Sequence, residues 1–149
     1  MVVMIMFMGE YNHTVDAKGR LIVPSKFREQ LGDVFFVTKG IDECLYVYGK
    51  AEWEAIAEKL HDLPLTVASA RKLSRFMLPG ASQCETDKQG RILIPANLRE
   101  YAKLDKDVVL LGVGSRIEIW DSGILAKERE QEGNAEDIAE SLDGLGFRI

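Results

Sequence analysis

Two cysteines and two histidines are all that the 149 residues contain of those types. Cys44 and Cys84 make neither a disulfide framework nor a zinc cluster, and they predict buried thiols in a reducing compartment. His13 and His61 stand apart, with no His-x-x-x-His or Cys-x-x-Cys spacing near them, so the sequence assigns no metal and no cofactor. Long apolar runs are also missing. The opening MVVMIMFMGE is apolar from Val2 to Met8 but is too short for a membrane span. It lacks the basic flank and cleavage site of a signal peptide, which predicts a cytoplasmic protein with no membrane partner and makes Met6 or Met8 a candidate native start. No G-x-x-x-x-G-K-[ST], G-x-G-x-x-G or Ser/His/Asp grouping occurs, so an enzyme acting on a small-molecule substrate is not expected.

An excess of positive charge is missing too, since the chain carries a formal −5. That charge is not spread evenly. From Asp121 to the end there are eight acidic residues and three basic ones, and the rest of the chain is formally neutral. Net charge therefore does not veto an anionic partner.

What the sequence does have is one phrase written twice. DAKGRLIVPSKFRE begins at Asp16 and DKQGRILIPANLRE begins at Asp87. Asp, Gly, Arg, Pro, Arg and Glu return in register as Asp16/Asp87, Gly19/Gly90, Arg20/Arg91, Pro24/Pro95, Arg28/Arg99 and Glu29/Glu100. Between the first Arg and the Pro the residues are apolar in both copies.

Each copy reads as strand, tight turn, strand, short helix, strand, strand, helix. In the first, Glu10–Val15 alternates like a half-buried strand, and Asp16 to Gly19 supplies the turn, with Gly where a positive φ is needed. Arg20–Val23 returns, and Pro24 opens a short helix through Leu31, because its fixed φ suits a first helical turn. Val34–Thr38 and Val108–Val113 are apolar runs with strand composition, followed by strands Leu45–Tyr48 and Ile117–Trp120. Lys50–Leu60 and Ser122–Glu132 read as helices, and Val67–Met77 as a helix joining the copies. The parts are thus a first repeat over 7–63, a joining segment over 64–77, a second repeat over 78–132 and an acidic tail over 133–149. The tail allows either a short amphipathic helix around Ile138 and Leu142 or disorder. Units of this size bury too little surface alone, which predicts an α+β fold in which two pseudo-twofold-related copies complete each other's sheet.

The repeated turn has a structural explanation. Asp caps backbone N–H groups, Gly supplies the dihedral, and Arg pairs with the Asp carboxylate. Arg is the least well explained of the three, since many residues could leave the turn. Its planar fork can engage phosphates, or guanine O6 and N7 in the major groove, which a two-stranded ribbon fits. Arg20 and Arg91 are therefore the leading candidates for DNA contact, oriented by Asp16 and Asp87 on turns closed by Gly19 and Gly90. Lys18 and Lys88 add cations at the tips. Arg28 and Arg99, with Lys26, lie on short helices beside Glu29 and Glu100, and either contact DNA or form solvated, paired faces. A proton-sharing Asp dyad is disfavoured because each Asp is followed by an Arg that favours its ionised form.

With both D-x-x-G-R segments in place, the chain resembles the MraZ family of bacterial transcriptional regulators, from FMGEYNHTVDAKGRLIVPSKFR through LPGASQCETDKQGRILIPANLREYA to RIEIW. The resemblance implies a tandem AbrB-like fold of swapped-hairpin β-barrel units with short flanking helices, assembled into a homo-oligomeric ring of eight or more chains. It implies a cytoplasmic, nucleoid-associated regulator, usually a repressor. Such a protein binds short repeats of double-stranded DNA in its own promoter, at the head of a cell-division and cell-wall gene cluster. The D-x-x-x-R motif of the family falls on Asp16 and Arg20, and again on Asp87 and Arg91. A ring-forming scaffold with only nonspecific DNA affinity is the competing reading.

Overall fold

The computed structural model describes residues 6–147, so Met1–Ile5, the start of the apolar opening, lie outside the described residues. Among the described residues, the helices and strands of both copies follow the expected order. The first copy gives β1 (Phe7–Thr14), β2 (Arg20–Ile22), α1 (Ser25–Leu31), β3 (Phe35–Lys39), β4 (Leu45–Gly49) and α2 (Lys50–His61). α3 (Ala68–Met77) joins the copies, and β5 (Ser82–Cys84), β6 (Arg91–Leu93), α4 (Ala96–Tyr101), β7 (Asp107–Gly114), β8 (Ile117–Asp121) and α5 (Ser122–Gln131) form the second. α6 (Ala135–Ser141) and a short 3-10 turn (Asp143–Leu145) follow in the tail.

The strands cross between copies. A six-stranded antiparallel sheet runs β1-β7-β8-β4-β3-β5, and β2 and β6 form a separate two-stranded ribbon. In each copy the first strand pairs with the other copy's third, β1 on β7 and β5 on β3. The order therefore reads the same from either end once the copies are exchanged.

The sheet divides two cores. On one face Phe35, Val37, Leu45, Val47, Leu110, Ile117 and Ile119 meet Leu21, Val23, Phe27, Ile92, Ile94 and Leu98 from the ribbon and its short helices. On the other, Tyr46, Tyr48, Val109 and Trp120 meet Trp53 and Leu60 of α2, Met77 of α3 and Leu125 of α5. β4 is buried along its whole length, which is why its sequence, LYVYG, is a run rather than an alternation. Both copies feed both cores.

Most boundaries differ from the sequence reading by a single residue, and the start of β1 by three. β1 begins at Phe7 rather than Glu10, because Phe7, Met8 and Gly9 pair with Gly114, Val113 and Gly112 of the other copy. β1 ends at Thr14, and Val15 makes only a single bridge to Leu21. The tail takes the helical option. Asn134 caps α6 by accepting from the Asp137 N–H at 2.8 Å, although none of its residues is buried. Among the described residues no helix is long and apolar enough to cross a membrane.

Candidate nucleic-acid interface

Each turn is built around one carboxylate. Asp16 Oδ1 accepts from the N–H groups of Lys18 and Arg20, both at 2.9 Å, and Oδ2 accepts from Arg20 Nε at 2.7 Å. The backbone closes the loop, with the Gly19 N–H on the Asp16 carbonyl and the Asp16 N–H on the Arg20 carbonyl, each 2.9 Å. The second turn repeats this. Asp87 Oδ1 accepts from Gln89 at 2.8 Å and Arg91 at 2.9 Å, and Oδ2 accepts from Arg91 Nε at 2.8 Å.

These donors decide the ionisation. The Arg20 N–H holds the Asp16 carboxyl below the usual carboxylate range, helped by the Arg20 side chain and the Lys18 N–H. Asp87 is held down in the same way by the Arg91 N–H, the Arg91 side chain and the Gln89 N–H. A proton-sharing dyad needs one carboxyl pushed up. Both are pushed down.

The ribbon orders the outer surface. Leu21 pairs with Ile92, Arg20 with Leu93 and Ile22 with Arg91. Leu21 and Ile92 point inward and are buried, so the flanking positions of both strands face outward. Arg20 and Arg91 therefore stand on one face as diagonal neighbours, with Cα atoms roughly 7–8 Å apart. Their side chains are about a third exposed, at 32% and 27%. Each is fixed through Nε, and among the described residues no hydrogen bond takes up the Nη nitrogens of either. An oriented fork with open donors can bind a phosphate or the edge of a guanine.

Arg28 and Arg99 reach the opposite tip. Arg28 Nε donates to the Val23 carbonyl at 2.9 Å, and Arg99 Nε to the Ile94 carbonyl at 3.0 Å. A Cβ on Gly90 would lie 2.7 Å from Arg28 Nη1, and one on Gly19 would lie 2.7 Å from Arg99 Cζ. Each helix arginine of one copy thus lies against the turn glycine of the other. The Val23 N–H donates to the Gly90 carbonyl and the Ile94 N–H to the Gly19 carbonyl, both at 2.9 Å, which ties the tips together. Lys18 and Lys88 are exposed at the turns, and neither makes an ion pair among the described residues. Lys26 is exposed on α1.

Sequence reasoning missed two members of this face. Ile22 and Leu93 read in the sequence only as members of apolar stretches, yet they lie outward beside the arginines. The two-residue period was the available signal, since burying Leu21 and Ile92 turns their neighbours out. Among the described residues no group of three or more His, Cys, Asp or Glu could hold a metal ion.

Comparison with known proteins places this geometry in context. The family model for MraZ protein, described as antitoxin-like, matches residues 6–76 and again 77–141. A protein of Desulfitobacterium hafniense named transcriptional regulator MraZ is 58% identical over 143 residues, covering 95% of this chain and all of its own length. Proteins of the same name from Thermoanaerobacter sp. (strain X514) and Desulforamulus reducens are each 55% identical, over 95% and 94% of this chain and 100% and 99% of their own.

Proposed function

The chain belongs to the MraZ family, and we propose that it is a sequence-specific DNA-binding regulator of transcription, with no catalytic activity. The observation that carries this is the pair of arginines, each fixed through Nε by an ionised Asp, presented side by side on a ribbon of a shape the major groove admits. The names of its relatives support the regulatory role. In this reading Arg20 and Arg91 contact bases or phosphates. Lys18 and Lys88 contact phosphate. Arg28 and Arg99 brace the opposite turns, and their remaining donors serve the same DNA backbone.

The regulator acts in the cytoplasm at the nucleoid. It represses the cell-division and cell-wall gene cluster that it heads, by binding direct repeats in its own promoter. One ribbon makes few contacts, so affinity comes from several ribbons displayed on a homo-oligomeric ring of eight or more chains. The exchange of strands between copies supports reading the chain as tandem AbrB-like swapped-hairpin units. Exposed apolar residues around α2 and α3, among them Ile41, Leu65, Val67 and Leu78, supply a surface for a second copy.

Binding to the DNA upstream of the gene, against scrambled DNA at physiological salt, tests the reading. Arg20→Ala and Arg91→Ala should each weaken specific binding about 5- to 150-fold, the value of one good bidentate base contact. The double variant should lose discrimination while the oligomer keeps its mass. Full specificity in the double variant would overturn the assignment. Affinity indifferent to sequence that vanishes at physiological salt would instead favour the scaffold reading.

A further inference from the structure

Two apolar side chains stand between the arginines on the outer face of the ribbon, Ile22 at 44% exposure and Leu93 at 59%. Leu93 lies opposite Arg20, and Ile22 lies opposite Arg91. Each apolar side chain therefore shares a level with one arginine and lies two residues along its strand from the other. Packing does not account for them, because Leu21 and Ile92 between them already fill the core side of the ribbon.

We propose that Ile22 and Leu93 discriminate bases, each packing on the 5-methyl group of a thymine next to the base contacted by the arginine at its level. The proposal rests on the DNA-binding reading above and adds a second readout to the same face. Its occupant is the major groove of duplex DNA, chosen because the cations flanking this apolar pair complement a polyanion. The thymine methyl is the apolar feature that a base edge offers in that groove. Once the arginines dock the ribbon, Ile22 and Leu93 lose water whatever lies beneath them. A methyl group there gives them an apolar contact, and a cytosine amino group does not. The near-twofold ribbon makes the same pairing of cation and apolar side chain twice.

The test uses a duplex selected by the full-length chain from a random pool, with each thymine replaced in turn by deoxyuridine, which removes only the methyl. At one thymine for each tip the wild type should lose about three- to fivefold in affinity, the value of one buried methyl. Ile22→Ala should bind the unmodified duplex more weakly by a similar factor and be indifferent to deoxyuridine at its thymine. Leu93→Ala should behave likewise at the other. A wild type indifferent to every replacement, or variants that keep the wild-type sensitivity, would overturn the inference. The DNA-binding reading would still stand if Arg20→Ala abolished selection of the duplex. Failure to enrich any sequence would sink both. A changed oligomer mass in Ile22→Ala, with deoxyuridine sensitivity intact, would give the face to a second copy and reject the thymine contact.

Discussion

Gly19 has a φ of +84° and Gly90 one of +78°, and both face an arginine from the other copy. A side chain at either meets two penalties. The left-handed backbone costs about 1–2 kcal/mol for an L residue. The new methyl also displaces a guanidinium whose Nε hydrogen bond to a carbonyl contributes about 1.5–3 kcal/mol. Gly114 provides the comparison, with φ +86° and nothing within 4 Å of an added Cβ. Gly19→Ala and Gly90→Ala should therefore destabilise by about 2.5–5 kcal/mol and Gly114→Ala by about 1–2 kcal/mol, read from urea midpoints. Equal losses at all three would show that the arginine contact carries no energy. The glycines themselves are legible in the sequence as turn residues. Their arginine partners are not, because in the sequence Arg28 and Arg99 stand beside Glu29 and Glu100 and far from the glycines they meet.

At the scale of the element, β4 and the residue before it carry a burden of buried ionisable groups. Burial, and then the negative charges of Glu118 and Asp42, push the Cys44 thiol up from 9.0 to about 12. Burial also raises Tyr46 and Tyr48 above the usual phenol range. All three are neutral in the native state, so their contribution is present in full below the unfolded thiol value. Above about pH 9 the unfolded chain releases these protons and the folded chain does not, so stability falls as pH rises from there toward 12. The denaturation midpoint should drop between pH 8 and pH 10.5, and Cys44→Ala should flatten that drop. A flat midpoint in the wild type would contradict the burial of this strand. β3 and β7 are legible as apolar runs, and β4 and β8 as the strands that follow them, because both faces of the sheet are covered. The first three residues of β1 are not, since their strand conformation is set by a register with Gly112, Val113 and Gly114. Outward-facing Ile22 and Leu93 were hidden for a related reason, because an apolar run does not say which member meets a core.

For the whole molecule, the exchange of strands makes the two copies one folding unit. β1 completes the edge beside β7 and β5 the edge beside β3, and the ribbon has one strand from each copy. Residues 1–77 and 78–149, made separately, should each lack the cooperative unfolding transition of the whole chain. Mixing them should restore it, as followed by circular dichroism. A stable transition in either half alone would mean that its core does not need the other. The duplicated sequence made an α+β fold with shared sheets the expectation. It did not give the order β1-β7-β8-β4-β3-β5, because strand neighbours so distant along the chain leave no local trace.

The pairing of β1 with β7 also fixes a schedule. A ribosome releases Phe7 well before its partner Gly114, with the joining helix α3 and strand β6 made in between. Until then β1 is an unpaired strand, and β2 waits for β6. The nascent protein therefore cannot assemble its paired arginines before β6 emerges, nor the sheet beneath them before β7. On the proposed reading, any grip on DNA therefore waits until strands of both repeats have emerged and paired.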